Sequence, residues 1–169
     1  MNSAELLTDA FSRIRSLVAD SVDGLTAEQL ALRPNGDGNS IAWLIWHLTR
    51  VQDDHVAEVA GKKQVWLSKG WMDRFELPFE ASDTGYGHSL EQVGAVRPQS
   101  GELLIGYHDA VHEQTVRYLQ NLLDADLDRV VDTSWDPPVT LGVRLVSVIS
   151  DDLQHVGQAA YASGLLKLA

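Results

Sequence analysis

Four stretches of about twenty residues carry apolar side chains at helical spacing, and glycine, proline or polar turns close them. The first runs from about Ser3 to Ser21, with Ser3 as its cap and Ala10, Phe11, Ile14, Leu17 and Val18 along one side. A short helix follows at Leu25–Leu30, where Thr26 and Gln29 have the spacing of a capping box, and Pro34-Asn-Gly reads as a turn. The second long helix, about Ser40 to Ala60, is capped by Asn39 or Ser40 and stopped by Gly61; its face holds Ile41, Leu44, Ile45, Leu48, Val51 and Val59. The third, about Ser100 to Leu123, aligns Leu103, Leu104, Tyr107, Val111, Tyr118 and Leu122. The fourth, about Val139 to Leu166, follows a Trp135-Asp-Pro-Pro stop and aligns Leu145, Val148, Ile149, Val156 and Ala159. No convincing set of strands accompanies them. The expectation is an all-α, four-helix bundle forming one domain over residues 1–169. The connection 61–99 holds Gly70, Pro78, Gly85, Gly87, Gly94 and Pro98 and leaves room only for short helices. It can cross the length of the bundle, so the second and third long helices are expected to run parallel. Connections this long inside a compact unit tend to be functional.

Composition narrows the chemistry. There is no cysteine, which excludes disulfides, thiolate metal sites and a cysteine nucleophile. Any metal must then be held by His, Asp, Glu or water. The net charge is −11 and no basic run occurs, which opposes binding to nucleic acid or anionic membranes. The opening Met-Asn-Ser-Ala-Glu-Leu-Leu lacks the basic and apolar blocks of a signal peptide, and no apolar run approaches a membrane span. A cytoplasmic location is expected.

The segment Ser147-Val-Ile-Ser-Asp-Asp-Leu-Gln-His-Val-Gly-Gln158 then stands out. In a helix, Asp151 and His155 project from one side a turn apart, and a carboxylate with an imidazole so placed can grip one divalent ion. His47, within Trp43-Leu-Ile-Trp-His47, is the best third ligand, although a histidine packed among tryptophans is the plainer alternative. Several residues compete. Asp152 projects closer to the centre of the apolar face, where a buried carboxylate needs a partner. It could replace Asp151 as a ligand, or orient one. His108 and His112 form an i, i+4 pair on the third helix, with His112 towards solvent. His55 could act behind a ligand or sit in the core. His88 lies in the long connection among glycines that permit close approach or merely tight turning.

The chain resembles the DinB superfamily of metal-binding four-helix bundles, and more narrowly its actinobacterial branch of mycothiol-dependent maleylpyruvate isomerases and mycothiol S-transferases. The resemblance rests on Trp43-Leu-Ile-Trp-His-Leu-Thr-Arg-Val-Gln-Asp-Asp-His55, Asp83-Thr-Gly-Tyr-Gly-His88, Tyr107-His-Asp-Ala-Val-His112 and Gln154-His-Val-Gly-Gln158. It implies a metal held by His47, Asp151 and His155, with aspartate where relatives often have His or Glu. It further implies open positions on a zinc or nickel ion and, from outside the protein, a thiol such as mycothiol that attacks an electrophile. Asp152, His55 and Gln158 are then candidates for orienting ligands or passing a proton. Trp66, Trp71, Phe75 and Phe79 would wall the substrate cavity or simply cover the bundle's end. Relatives imply a homodimer. The competing expectation is a metal-binding bundle that binds or associates without turnover.

Overall fold

The computed structural model describes residues 1–168 and consists almost entirely of helix. The four long helices are α1 (Ser3–Val22), α3 (Ile41–Ala60), α7 (Gly101–Leu119) and α8 (Leu141–Leu168). Short helices α2 (Ala27–Leu30), α4 (Val65–Ser68), α5 (Trp71–Phe75) and α6 (Leu90–Ala95) occupy the connections. Each long helix packs on two others: α3 and α1 both touch α7 and α8. The result is a four-helix bundle with α1 opposite α3.

Cross-bundle contacts fix the helix directions. Thr49 and Gln52 of α3 meet His108 and Thr115 of α7 in ascending order, so α3 and α7 run parallel as the long connection requires. Ser12 and Arg15 of α1 meet His112 and Asp109 in descending order, so α1 and α7 are antiparallel. His47 and His55 of α3 meet His155 and Arg144 of α8, again antiparallel.

Local chemistry sets the boundaries. Asn2, not Ser3, caps α1: its side chain accepts the Glu5 N–H at 2.8 Å, and the Glu5 carboxylate accepts the Asn2 N–H at 3.0 Å. Ser40 caps α3 by accepting the Trp43 N–H at 3.1 Å, and Gly61 ends it with φ 61°. The third long helix stops at Leu119, short of the expected Leu123, and a 3-10 turn occupies Asp124–Asp128. The segment after it forms a small antiparallel pair, β1 (Val130–Asp132) with β2 (Val139–Thr140). Strands of three and two residues are too short to show a period, and no alternation marks them. The Trp135-Asp-Pro-Pro stop is the tip of this hairpin.

The core holds most of the expected faces, including Phe11, Ile14, Val18, Leu44, Ile45, Leu48, Leu104, Val111, Leu145, Val148 and Val156. Leu17 departs, being 39% exposed on the outer side of α1.

The connection 61–99 is anchored from α3 by a charge pair with no solvent exposure. Asp53 accepts the N–H groups of Val65 at 2.8 Å and Trp66 at 2.7 Å, and the Tyr107 hydroxyl at 2.9 Å. Arg50, 3.7 Å from Asp53, donates to the carbonyls of Asp83 at 3.0 Å and Ala81 at 3.2 Å. It also donates to Gln64 at 2.9 Å and lies over the Trp66 ring. Trp66, Trp71 and Phe75 gather on Tyr107. Replacing Asp53 with Ala strands Arg50 and two backbone N–H groups in the interior. A loss of about 3–5 kcal/mol is expected, read from the urea unfolding midpoint at constant m-value.

Candidate metal centre

His47, Asp151 and His155 come together between α3 and α8. One ligating atom from each lies within 4.8 Å of the others, and no other group of this kind occurs among the described residues. His155 Nε2 is 3.6 Å from Asp151 Oδ1, and the two imidazoles meet edge to face at 4.8 Å between centroids.

The surroundings aim the nitrogens. His47 is buried and stacks on Trp43 at 4.6 Å. Its Nδ1 contacts the Thr84 carbonyl oxygen, which can only accept, so Nδ1 carries the proton and Nε2 keeps its lone pair. His155 Nδ1 lies 3.3 Å from the Gln158 side-chain oxygen, which orients that ring in the same sense. Asp151 Oδ2 is buried without a hydrogen-bond partner. An orphaned carboxylate oxygen beside two imidazole lone pairs is the donor set a divalent cation satisfies, so the residues fit a metal.

Burial and mutual charge act differently on the three groups. Burial pushes the His47 imidazole below its ordinary range despite the Thr84 contact. Burial alone would raise the Asp151 carboxyl, but the neighbouring His155 imidazole holds it below the usual range. The same Asp151 contact raises His155. Asp152 behaves oppositely. It is fully buried, both its oxygens lack partners, and burial followed by the Asp151 charge lifts it well above the carboxylate range. Asp151, not Asp152, is the carboxylate that joins the histidines.

The other histidines take different places. His108 is buried against Thr49 at 3.1 Å, while His112 contacts Ser12 at 3.3 Å, and the two gather no third ligating group. His88 accepts the Trp43 indole N–H at 3.1 Å and sits 3.0 Å from both Asp83 oxygens. It buttresses the loop that carries Thr84. His55 stands apart from the ligand group and contacts Arg144.

A cavity of about 610 Å³ opens beside His47 and Asp151, lined also by His55, Tyr86, Trp135 and Arg144. Trp66, Trp71, Phe75 and Phe79 do not line it. The first three cover the bundle, and Phe79 packs on Trp46 and His88. The aromatics at the cavity, Tyr86 and Trp135, are 92% and 68% exposed and come from two separate loops. The sequence reading missed Trp135, Arg144 and the Thr84 carbonyl. The Asp83-Thr-Gly-Tyr-Gly-His88 run was the available signal for the last.

Gly85 shows how closely that loop approaches. It has φ +91°, and a Cβ there would lie 2.8 Å from His47 Nδ1 and 2.9 Å from the Trp46 ring. Gly85→Ala should displace Thr84 from His47 and weaken divalent-metal affinity about 10–100-fold by calorimetric titration. His108 gives a separate pH signature. Burial first, then the charge of His112, pushes it down to about 3 from 6.5. The unfolded chain then binds a proton that the folded chain refuses. His108 therefore favours folding above pH 6.5, and that contribution is lost as pH falls towards 3. At pH 4.5 the loss is about 3 kcal/mol, and His108→Leu should flatten this part of the stability profile in urea titrations.

Comparison with known proteins places this geometry. The family model of the DinB superfamily matches residues 10–159. A crystal structure of a conserved protein from Enterococcus faecalis superposes with a TM-score of 0.91 at 30% sequence identity, covering 100% of this chain and 99% of that one. None of the curated proteins matches. The helices, their order and the residues matched all lead to one assignment: the chain belongs to the DinB superfamily.

Proposed function

We propose that the protein is a divalent-metal-dependent thiol S-transferase, with His47, Asp151 and His155 as ligands. The observation that carries this reading is the three-residue donor group, two of whose members, His47 and Asp151, line a cavity of about 610 Å³. Three protein ligands with space beside them are the pattern of a catalytic site, whereas structural zinc sites are closed by four. Zinc suits two imidazoles and a carboxylate, and nickel is compatible. Such a cation, when bound, supplies Lewis acidity that lowers the pKa of a coordinating thiol. The likeness to the actinobacterial branch nominates mycothiol as that thiol, and the absence of cysteine fits a thiol brought from outside.

The chain's own residues have distinct tasks in this reading. Thr84 and Gln158 hold the ring protons of His47 and His155 away from the ion. Asp152, fully enclosed, stands outside the ligand group. Tyr86 and Trp135 flank the cavity and would shield a substrate from water. A cytoplasmic homodimer completes the proposal, with exposed Val146, Leu153 and Tyr161 on α8 as apolar surface for association. No described helix is long and apolar enough to cross a membrane.

Elemental analysis of the purified protein tests the centre. About one divalent ion per chain is expected, lost in both His155→Ala and Asp151→Ala. Metal retained in both variants would overturn the ligand set. Conjugation of mycothiol to a model electrophile by the loaded wild type then tests the activity. Stoichiometric metal without conjugation would favour a binding bundle that does not turn over.

A further inference from the structure

His55 lies two turns beyond His47 on α3 and stands between the same cavity and a second one on the side of Glu58 and Asp132. Its Nδ1 is 2.7 Å from a guanidinium nitrogen of Arg144. A guanidinium has only donors, so Nδ1 must accept and the ring proton must sit on Nε2. Arg144 is itself held by Asp132 at 2.9 Å, and Asp132 accepts the N–H and O–H of Ser134 at 2.9 and 2.6 Å. This chain of contacts, from the β1–β2 hairpin through α8 to α3, leaves the imidazole little freedom to turn. Among the described residues no protein atom accepts from Nε2, and that nitrogen is not one of the buried orphans, so it opens to solvent. Burial, followed by the Arg144 charge, holds His55 below the ordinary histidine range and keeps it neutral at pH 7.

We propose that His55 is a fixed Nε2–H donor that binds a carbonyl-type oxygen of the electrophilic substrate. The cavity then selects molecules that pair such an oxygen with an apolar body, because Val51, Tyr86, Trp135, Val139 and Val148 supply apolar contact surface beside the polar Asp54, Thr84 and Ser147. His55 is not one of the three ligands; it lies eight residues beyond His47 on α3. His55 is a specificity-determining group and does not act on the reacting atoms. The inference rests on the proposed function only for treating this cavity as the substrate site; the tautomer follows from Arg144 alone.

Two matched probes test it on the full chain, with and without zinc: acetophenone, which carries a carbonyl oxygen, and ethylbenzene, which does not. Nitrogen NMR of the histidine-labelled protein at pH 7 should show His55 protonated on Nε2. Acetophenone should bind more tightly than ethylbenzene by about three- to tenfold, the value of one neutral hydrogen bond. His55→Phe should abolish that preference. His55→Gln should keep it, since its carbonyl can accept from Arg144 while its amide donates. A proton on Nδ1, an undiminished preference in His55→Phe, or no binding of acetophenone would each overturn the proposal. Because these measurements do not require metal, they separate this inference from the metal-centre reading. The preference without stoichiometric metal would leave His55 standing and remove the transferase, and metal without the preference would do the reverse.

Discussion

The Arg50–Asp53 pair is the constraint on which the rest of the site depends. Both side chains are fully enclosed, and taking two charges out of water costs several kcal/mol for each ion. Their mutual attraction alone does not offset this. The pair is tolerable because nearly every polar atom is used: Asp53 takes two backbone N–H groups and a tyrosine hydroxyl, and Arg50 gives to two carbonyls and a glutamine. All the backbone partners belong to the 61–99 connection. An apolar pair of similar volume would fill the space and leave Ala81 and Asp83 unheld. With them held, Thr84 reaches His47 one residue later, and His47 acquires its tautomer. The order of the ligand thus traces back to a salt bridge on the same helix, three residues past it.

Adjacent carboxylates on α8 show how position divides one chemistry into two. Asp151 and Asp152 share a backbone turn, yet Asp151 is half-buried beside two imidazoles and its carboxyl is held below the usual range, whereas Asp152 is fully enclosed and burial pushes it well above. A charge on Asp152 would sit in a dry interior beside that of Asp151, and both effects oppose it. A single carboxylate with two imidazoles then presents one negative charge to a cation. The net charge of −11 favours the approach of that cation over any anionic partner.

Legibility in the sequence followed the range of the interactions. Helical spacing exposed all four long helices, because a period of 3.6 repeated over five turns is hard to produce by accident, and it placed most of the core. The parallel course of α3 and α7 followed from the length of the connection between them. Asp151 and His155 were legible as a pair because one helix presents both. His47 was the best third ligand on residue type, but a histidine packed among tryptophans stayed the plainer reading until the family pattern was weighed, since its meeting with α8 spans about a hundred residues. The hairpin of β1 and β2 was invisible at two and three residues per strand, and Trp135 and Arg144 went unread with it. Ser3 as a cap was an error of one position, decided by which side chain could reach a free N–H.

What the sequence by itself determined is the set of amphipathic helices, the absence of thiol chemistry and a pair of potential ligands one helical turn apart. These depend on composition and on neighbours within a few residues, where covalent geometry leaves few options. Only the tertiary structure decided which carboxylate joins the histidines, which nitrogen of His47 and His55 holds a proton, and which aromatics face the cavity. Those outcomes turn on burial and on hydrogen bonds between segments distant in the chain, such as Thr84 with His47 and Arg144 with His55. A linear pattern carries no record of the packing that creates them.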